Sequence, residues 1–225
     1  MKILTVIPAR GGSKGVPRKN IKMLGDFPLF VWTLKVAGKA GDVLTKIVVS
    51  TEDEEIAEVA RKYGGEVVAR PAELAQDSTK SEPVLTHALE VLESAGGKYD
   101  AVLLLSPTNP FRDPKFIREA ADLFSTGKFD TIVGLKPVYK YSYDAKKNGE
   151  ATPLYEKRAN RQERKPVWLE NGALYLASAK LVRNGEIFGK KIGFVMMDEL
   201  SSVNIDESVD FLYADSIVKA GIFRL

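Results

Sequence analysis

The stretch Ile3-Leu4-Thr5-Val6-Ile7-Pro8-Ala9-Arg10-Gly11-Gly12-Ser13-Lys14-Gly15-Val16-Pro17-Arg18-Lys19-Asn20 carries two signals in direct succession. Ile3–Ile7 is a short β-branched apolar run, which predicts a strand buried on both faces. The loop after it holds three glycines and four cations. The glycines let the backbone turn sharply and bring N–H groups close to an anion. Arg10, Lys14, Arg18 and Lys19 crowd like charges together, which is costly unless a polyanion sits among them. The loop lacks the Gly-Lys-Ser/Thr ending of a Walker A loop and does not match the Gly-x-Gly-x-x-Gly dinucleotide fingerprint. A glycine-rich turn with solvated lysines is the plainer alternative, and the position directly after the first strand argues against it.

Outward from this loop, strand and helix periodicities alternate. Further strands are expected at Lys46–Ser50, Glu66–Ala69, Asp100–Leu105, Thr131–Leu135, Gly172–Leu176, Ile192–Met196 and Val203–Ile205. Helices are expected at Pro28–Ala40, with Pro28 in the first turn, and at Glu54–Tyr63, closed by Gly64. Others follow at Glu82–Ala95, Asp113–Phe124, Ser178–Arg183 and Glu207–Ala220. Near-continuous apolar strands alternating with helices predict an α/β fold: a three-layer sandwich whose mostly parallel sheet is covered on both faces.

Between Lys136 and Val167 the pattern breaks. This segment is polar and rich in tyrosine, with Asn148-Gly149 as a hairpin turn. Long structureless stretches are uncommon inside compact domains. The chain therefore reads as one domain, residues 1–225, with an inserted arm at about 136–167. Residues 136–165 hold nine basic residues against four acidic ones, more positive charge than the +3 of the whole chain. A solvated surface and a positive field over an anionic substrate both fit.

Composition narrows the function classes. A net charge of +3 is too small to argue for nucleic acid as partner. The absence of cysteine excludes disulfides, thiol catalysis and thiolate metal sites, and fits a cytoplasmic location. No apolar run approaches the ~20 residues that a membrane-spanning helix needs.

The loop then resembles the first motif of the acylneuraminate (sialic acid-like nonulosonic acid) cytidylyltransferases, Ile-x-Ala-Arg-x-x-Ser-Lys-Gly-x-x-x-Lys-Asn. Every fixed position is matched between Ile7 and Asn20. Other blocks keep that family's order. These are Arg70-Pro71-Ala72-Glu73-Leu74-Ala75 with Asp77 and Ser81, Leu105-Ser106-Pro107-Thr108-Asn109-Pro110-Phe111-Arg112, Asn171-Gly172-Ala173-Leu174-Tyr175, and Val203-Asn204-Ile205-Asp206. The resemblance spans nearly the whole chain. It implies a nucleotide-diphospho-sugar transferase-like (Rossmann-like) fold and a homodimer formed through the 136–167 arm. It also implies transfer of CMP from CTP to the anomeric hydroxyl of an acidic keto-sugar, with pyrophosphate released.

The resemblance also assigns residues. Arg10 and Lys19 hold the triphosphate, together with Gly11, Gly12, Ser13 and Lys14. Asn20, Arg70 and Ser81 hold the nucleoside. Arginine forks readily onto phosphate or a base edge. A surface salt bridge is the alternative for Arg70. Ser81 stands equally as an N-cap ahead of Glu82-Pro83. Ser106, Thr108, Asn171 and the arm pair Arg161-Gln162 face the sugar, with Arg161 on its carboxylate. Asp206, assisted by Asn204, holds Mg²⁺ or Mn²⁺, and capping the last helix is the alternative for Asp206. Arg10, Lys19 and Asp206 are the implied catalytic residues.

Three positions depart from the family. Asn204 stands where it has an acid, Ser106 where it has a glutamine, and Leu169 where it has an arginine. The nucleotide half therefore reads as intact and the sugar half as altered. His87, mid-helix between Leu85 and Leu89, reads as structural. A 3-deoxy-manno-octulosonate cytidylyltransferase and a non-catalytic nucleotide-binding module are the rival functions.

Overall fold

The computed structural model describes residues 1–225, the side chain of Arg161 excepted. The chain begins with β1 (Ile3–Pro8), the glycine-rich loop, and a small hairpin of β2 (Met23–Leu24) and β3 (Phe27–Pro28). Then come α1 (Leu29–Lys39), β4 (Lys46–Thr51), α2 (Glu54–Lys62), β5 (Glu66–Ala69), α3 (Ser81–Ser94), β6 (Ala101–Leu105) and α4 (Pro114–Ser125). The second half holds β7 (Thr131–Val138), β8 (Tyr143–Ala145), β9 (Ala151–Pro153), β10 (Val167–Ser178), α5 (Ala179–Arg183), β11 (Ile192–Met196) and α6 (Ser208–Lys219). Seven strands form one sheet in the order β11-β7-β10-β6-β1-β4-β5. Only β10 runs antiparallel to its neighbours, so the fold is the expected α/β sandwich with a mostly parallel sheet.

The pleat divides β1 between two cores. Ile3 and Ile7 face Phe30, Val31 and Leu34 of α1, Ile56 and Ala60 of α2, and Phe116 and Ile117 of α4. Leu4 and Val6 face Leu85 and Leu89 of α3 and Val182 of α5. Burial on both faces is why the strand reads as a continuous apolar run. A third cluster joins Val16, Trp32, Phe111, Ile205, Phe211 and Ile217. It packs α6 on α1 and anchors the glycine-rich loop and the 203–206 segment to the same body.

The strand order sets the site. From β1 the chain steps outward to β4 and β5, then returns to place β6 on the opposite side of β1. In open parallel sheets this reversal leaves a crevice beyond the carboxyl ends of the strands, where ligands bind.

Several boundaries differ from expectation for identifiable reasons. Pro28 pairs with Met23 in the hairpin and holds ψ near 146°, so the helix starts at Leu29. No strand forms at Val203–Ile205. That segment is irregular, tied by the Ile205 N–H to the Thr108 carbonyl at 2.9 Å. β10 starts at Val167 rather than Gly172, and its first four residues are exposed, which removed the apolar signal. A register shift between Glu170 and Tyr175 marks a bulge, with Gly172 at φ +71°. Within the arm the expected turn forms: β8 and β9 pair across Asn148-Gly149, where the Lys146 N–H reaches the Glu150 carbonyl at 2.8 Å.

Candidate active site

The crevice at the carboxyl ends of β1, β5 and β6 is a cleft of about 610 Å³. Arg10, Ser13, Lys14, Gly15, Lys19 and Asn20 come from the loop after β1. Arg70 follows β5, Ser81 opens α3, Ser106 and Thr108 follow β6, and Asp206 closes the rim. Residues far apart in the chain meet here because parallel strands deliver their loops to one edge.

The loop is held differently from the way its glycines suggest. None of Gly11, Gly12 and Gly15 has a positive φ; the left-handed residue is Arg18, at φ +52°. A Cβ on Gly11 would collide with the Asp53 carboxylate, and one on Gly15 with the Asp206 carbonyl. Gly12 has open space around it. Close approach, not backbone handedness, therefore accounts for Gly11 and Gly15.

The crowded cations also have protein counter-charges. Arg18 turns away from the cleft onto Asp53 and Glu55 at the start of α2. This holds the Asp53 carboxyl below the usual carboxylate range, chiefly through the Arg18 hydrogen bond. Arg10 Nη1 lies 2.7 Å from Asp77 Oδ1, and Lys14 Nζ lies 2.8 Å from Asp77 Oδ2. Hydrogen bonds from Lys14 first, and then Arg10, hold the Asp77 carboxyl low as well. Lys19 Nζ donates to the Ile205 carbonyl at 2.7 Å and stands 3.6 Å from Asp206 Oδ1.

Arg70 is buried and its Nη2 meets Glu52 Oε2 at 2.7 Å, so it is no surface salt bridge. Its Nε is buried without a partner among the described residues, as is Asn20 Oδ1. Asn20 Nδ2 donates to the Arg10 carbonyl at 2.8 Å, tying the end of the loop to its start. Lys80, not Ser81, is the N-cap of α3, so the capping alternative for Ser81 falls away.

Past β6, Ser106 Oγ and Thr108 Oγ1 share a 2.7 Å hydrogen bond. Beneath them lies the fully buried Arg112, whose Nη2 donates to the carbonyls of Ser106 at 3.0 Å and Ala173 at 2.5 Å. Burial pulls its guanidinium down to about 9, well below the usual arginine range.

The residue pattern of the cytidylyltransferase family matches residues 4–185. The chain belongs to this family. It is 33% identical to the CMP-N,N'-diacetyllegionaminic acid synthase of Legionella pneumophila, with 97% of each chain covered. It is 32% identical to the N-acylneuraminate cytidylyltransferase of Escherichia coli, covering 96% of this chain and 52% of that one. The fold resembles a CMP:2-keto-3-deoxy-manno-octonic acid synthetase solved with CTP, at TM-score 0.73 and 12% identity over 98% of this chain and all of the other.

In this cytidylyltransferase some expected site residues lie elsewhere. Asn171 is buried in the β10 bulge, giving Nδ2 to Ser202 Oγ at 2.9 Å and taking the Ala173 N–H on Oδ1 at 3.1 Å. It shapes the strand rather than lining the cleft. Gln162 sits in the short turn Arg161–Glu163 of the arm and does not line the cleft. The side chain expected of Arg161 lies outside the described ones. Gly11 and Gly12 shape the loop without lining the cleft, and neither does Asn204, whose Nδ2 donates to Asp206 Oδ2 at 2.6 Å. Asp206 does not cap α6: Glu207 does, in a reciprocal pair with Asp210.

Asp77 and Glu52 went unassigned in the sequence. Asp77 was visible inside a motif, but its pairing with the loop cations is a tertiary fact. Glu52 had one usable signal, its place directly after the second parallel strand. Among the described residues no cluster of three or more His, Cys, Asp or Glu could hold a metal ion by itself, and no helix is long and apolar enough to cross a membrane.

Proposed function

We propose that this cytidylyltransferase moves CMP from CTP onto the anomeric hydroxyl of an acidic nonulosonic sugar of the sialic, legionaminic or pseudaminic acid type. The observation that carries it is the cleft itself: the loop cations Arg10, Lys14 and Lys19 share its lining with the buried Arg70, Asn20 and Ser81. That combination of cations and buried polar groups suits a triphosphate joined to a pyrimidine nucleoside. The synthases named above act on such sugars and align with nearly the whole chain. The nucleotide-contacting set is Arg10, Ser13, Lys14, Lys19, Asn20, Arg70 and Ser81, with Gly11 and Gly12 belonging to the loop that carries the first four. Ser106 and Thr108 begin the sugar side.

In the reaction the anomeric hydroxyl gives its proton to solvent as its oxygen bonds to the α-phosphorus, the bond to the bridging oxygen breaks, and pyrophosphate leaves with the electron pair. Arg10, Lys14 and Lys19 hold the departing phosphates, so catalysis rests on positioning and charge. Asp206 supplies one exposed carboxylate beside Lys19, which fits Mg²⁺ (or Mn²⁺) shared with phosphate oxygens and water. Asn204 offers only an amide oxygen. The bound cation would withdraw charge from the phosphates.

We further propose one catalytic domain that works as a cytoplasmic homodimer through the 136–167 arm. The absence of cysteine suits a reducing compartment. Tyr139, Tyr143, Leu154 and Trp168 leave an exposed aromatic and apolar surface on and beside the arm.

Calorimetry tests the nucleotide half. CTP should bind much more tightly than ATP or GTP, because a site built for one base leaves polar groups unpaired with another. Equal affinity for CTP and ATP would sink the pyrimidine pocket.

A further inference from the structure

Glu52 is the first residue beyond β4, the strand between β1 and β5. Its two carboxylate oxygens face opposite neighbours. Oε1 accepts the Gly11 N–H at 2.7 Å, at the start of the phosphate loop. Oε2 accepts Arg70 Nη2 at 2.7 Å, from the arginine that follows β5 and lines the cleft. The side chains of Arg70 and Glu52 are 3% and 19% exposed. Glu52 does not itself line the cleft. The main chain around it is already fixed, with the Ala9 N–H on the Ser50 carbonyl at 3.0 Å and the Arg70 N–H on the Thr51 carbonyl at 2.8 Å.

We infer that Glu52 is a positioning residue for the nucleotide, setting the distance between the triphosphate grip and the base grip. The inference rests on the CTP site proposed above. Among the described residues Glu52 is the only hydrogen-bond partner of the Arg70 guanidinium. A buried arginine needs a charge-matched acceptor, and its rigid planar fork is aimed by whichever arm is held. With Nη2 held by Glu52, the orientation of the guanidinium in the cleft wall is set. The same carboxylate fixes the Gly11 amide, so the loop cannot shift without moving the arginine. Among the described residues no other carboxylate bonds both the phosphate loop and Arg70.

Glutamine at this position separates the two contacts. Its amide offers one acceptor and one donor group, so whichever way it turns, a donor faces either the Gly11 N–H or the Arg70 guanidinium. Aspartate keeps the charge but reaches only one partner.

The test measures CTP and ATP binding by calorimetry, and turnover at saturating CTP, for wild type, Glu52→Gln, Glu52→Asp and Arg70→Lys. Folded fraction is followed by circular dichroism. Glu52→Gln should weaken CTP roughly 10- to 100-fold, the scale of a disrupted buried ion pair. The CTP-over-ATP preference should shrink in parallel, while turnover at saturating CTP stays within about threefold, because the phosphate cations remain. Glu52→Asp should recover part of the affinity. Glu52→Gln added to Arg70→Lys should cost less than the two effects combined, since one interaction is removed twice. A Glu52→Gln protein with wild-type CTP affinity and base preference overturns the inference. So does one that only lowers melting temperature while its folded molecules discriminate normally. If the glutamine variant does not fold, Glu52→Asp decides on the same two readouts. Wild-type protein that takes up no CTP would overturn the nucleotide site itself; wild-type binding with an indifferent Glu52 overturns only this residue's role.

Discussion

Arg10 and Asp77 form an ion pair of 2.7 Å inside the cleft, and Lys14 closes on the second oxygen of the same carboxylate at 2.8 Å. A side-chain anion thus occupies the cations that the proposed reaction requires for phosphate. Asp77 must yield them before a triphosphate can bind. Asp77→Asn should therefore bind inorganic pyrophosphate a few-fold more tightly, the modest scale of an exposed ion pair. Calorimetry with pyrophosphate checks this, and an unchanged or weaker affinity would mean that carboxylate and phosphate do not compete.

Removing Arg10 or Lys19 should cost roughly 10²- to 10³-fold in turnover, the usual loss when one fixed charge-stabilising group is deleted. Lys19→Ala should carry a second effect. Its ammonium also holds the Ile205 carbonyl beside Asp206, so the variant should need more Mg²⁺ for half-maximal rate. Near-normal turnover in Arg10→Ala on a confirmed substrate would reduce the loop to a structural role.

Asp206 and Asn204 give a sharper pair of outcomes. Because Glu207 and Asp210 cap α6, Asp206→Ala should leave the melting temperature almost unchanged while lowering turnover roughly 10²-fold or more. Asn204→Asp should lower the Mg²⁺ concentration needed, since an added carboxylate tightens a hard cation. Melting and turnover measured on one Asp206→Ala preparation decide the matter, and intact turnover rules out the metal role.

The glycines separate by position. Gly15→Ala should destabilise the protein by about 1–3 kcal/mol and impair turnover, because its Cβ meets the rigid Asp206 carbonyl. Gly12→Ala should stay within about 0.5 kcal/mol, with open space around it. Thermal melts of the two variants check this, and equal losses would contradict it.

The Arg18–Asp53 pair predicts a pH dependence. A folded-state carboxyl held low gives stability that is present above the unfolded carboxylate value, about 3.9, and is lost as pH falls through the depressed folded value. Asp53→Asn should melt below wild type at neutral pH, and the gap should close as pH falls into the acid range. Asparagine keeps the N-cap on the Ile56 N–H, so a gap that persists unchanged in acid would assign the loss to something other than charge.

What the sequence made legible follows from burial. β1, β4 and β6 are short inner strands of the sheet, so their apolar runs stood out, and the loops after them could be placed at one edge; β5 is the short edge strand beside β4. The start of β10 and the strands β8 and β9 were opaque because exposed strands carry no such run, although the Asn148-Gly149 turn between β8 and β9 was legible. Val203–Ile205 looked like a strand because Ile205 is buried, yet it packs against Val16 and Phe111 rather than a neighbouring strand. Motif order brought Arg10, Lys19, Arg70 and Asp206 to one cleft. The partners that hold them are spread across other loops: Glu52 lies 18 residues before Arg70, and Asp77 lies far from Arg10. No local pattern encodes such pairs. Asn171 misled in the opposite sense, since a motif position also serves to stabilise a bulge.

The most direct measurement is pyrophosphate release from CTP and Mg²⁺, with the sugar product identified, across sialic, legionaminic, pseudaminic and 3-deoxy-manno-octulosonic acids and a no-sugar control. One or more of the nine-carbon acids should release pyrophosphate in equal amount to a CMP-linked sugar, with the octulosonate far slower and the control silent. Turnover confined to the octulosonate, or nucleotide binding with no pyrophosphate from any acid, would contradict the proposed function.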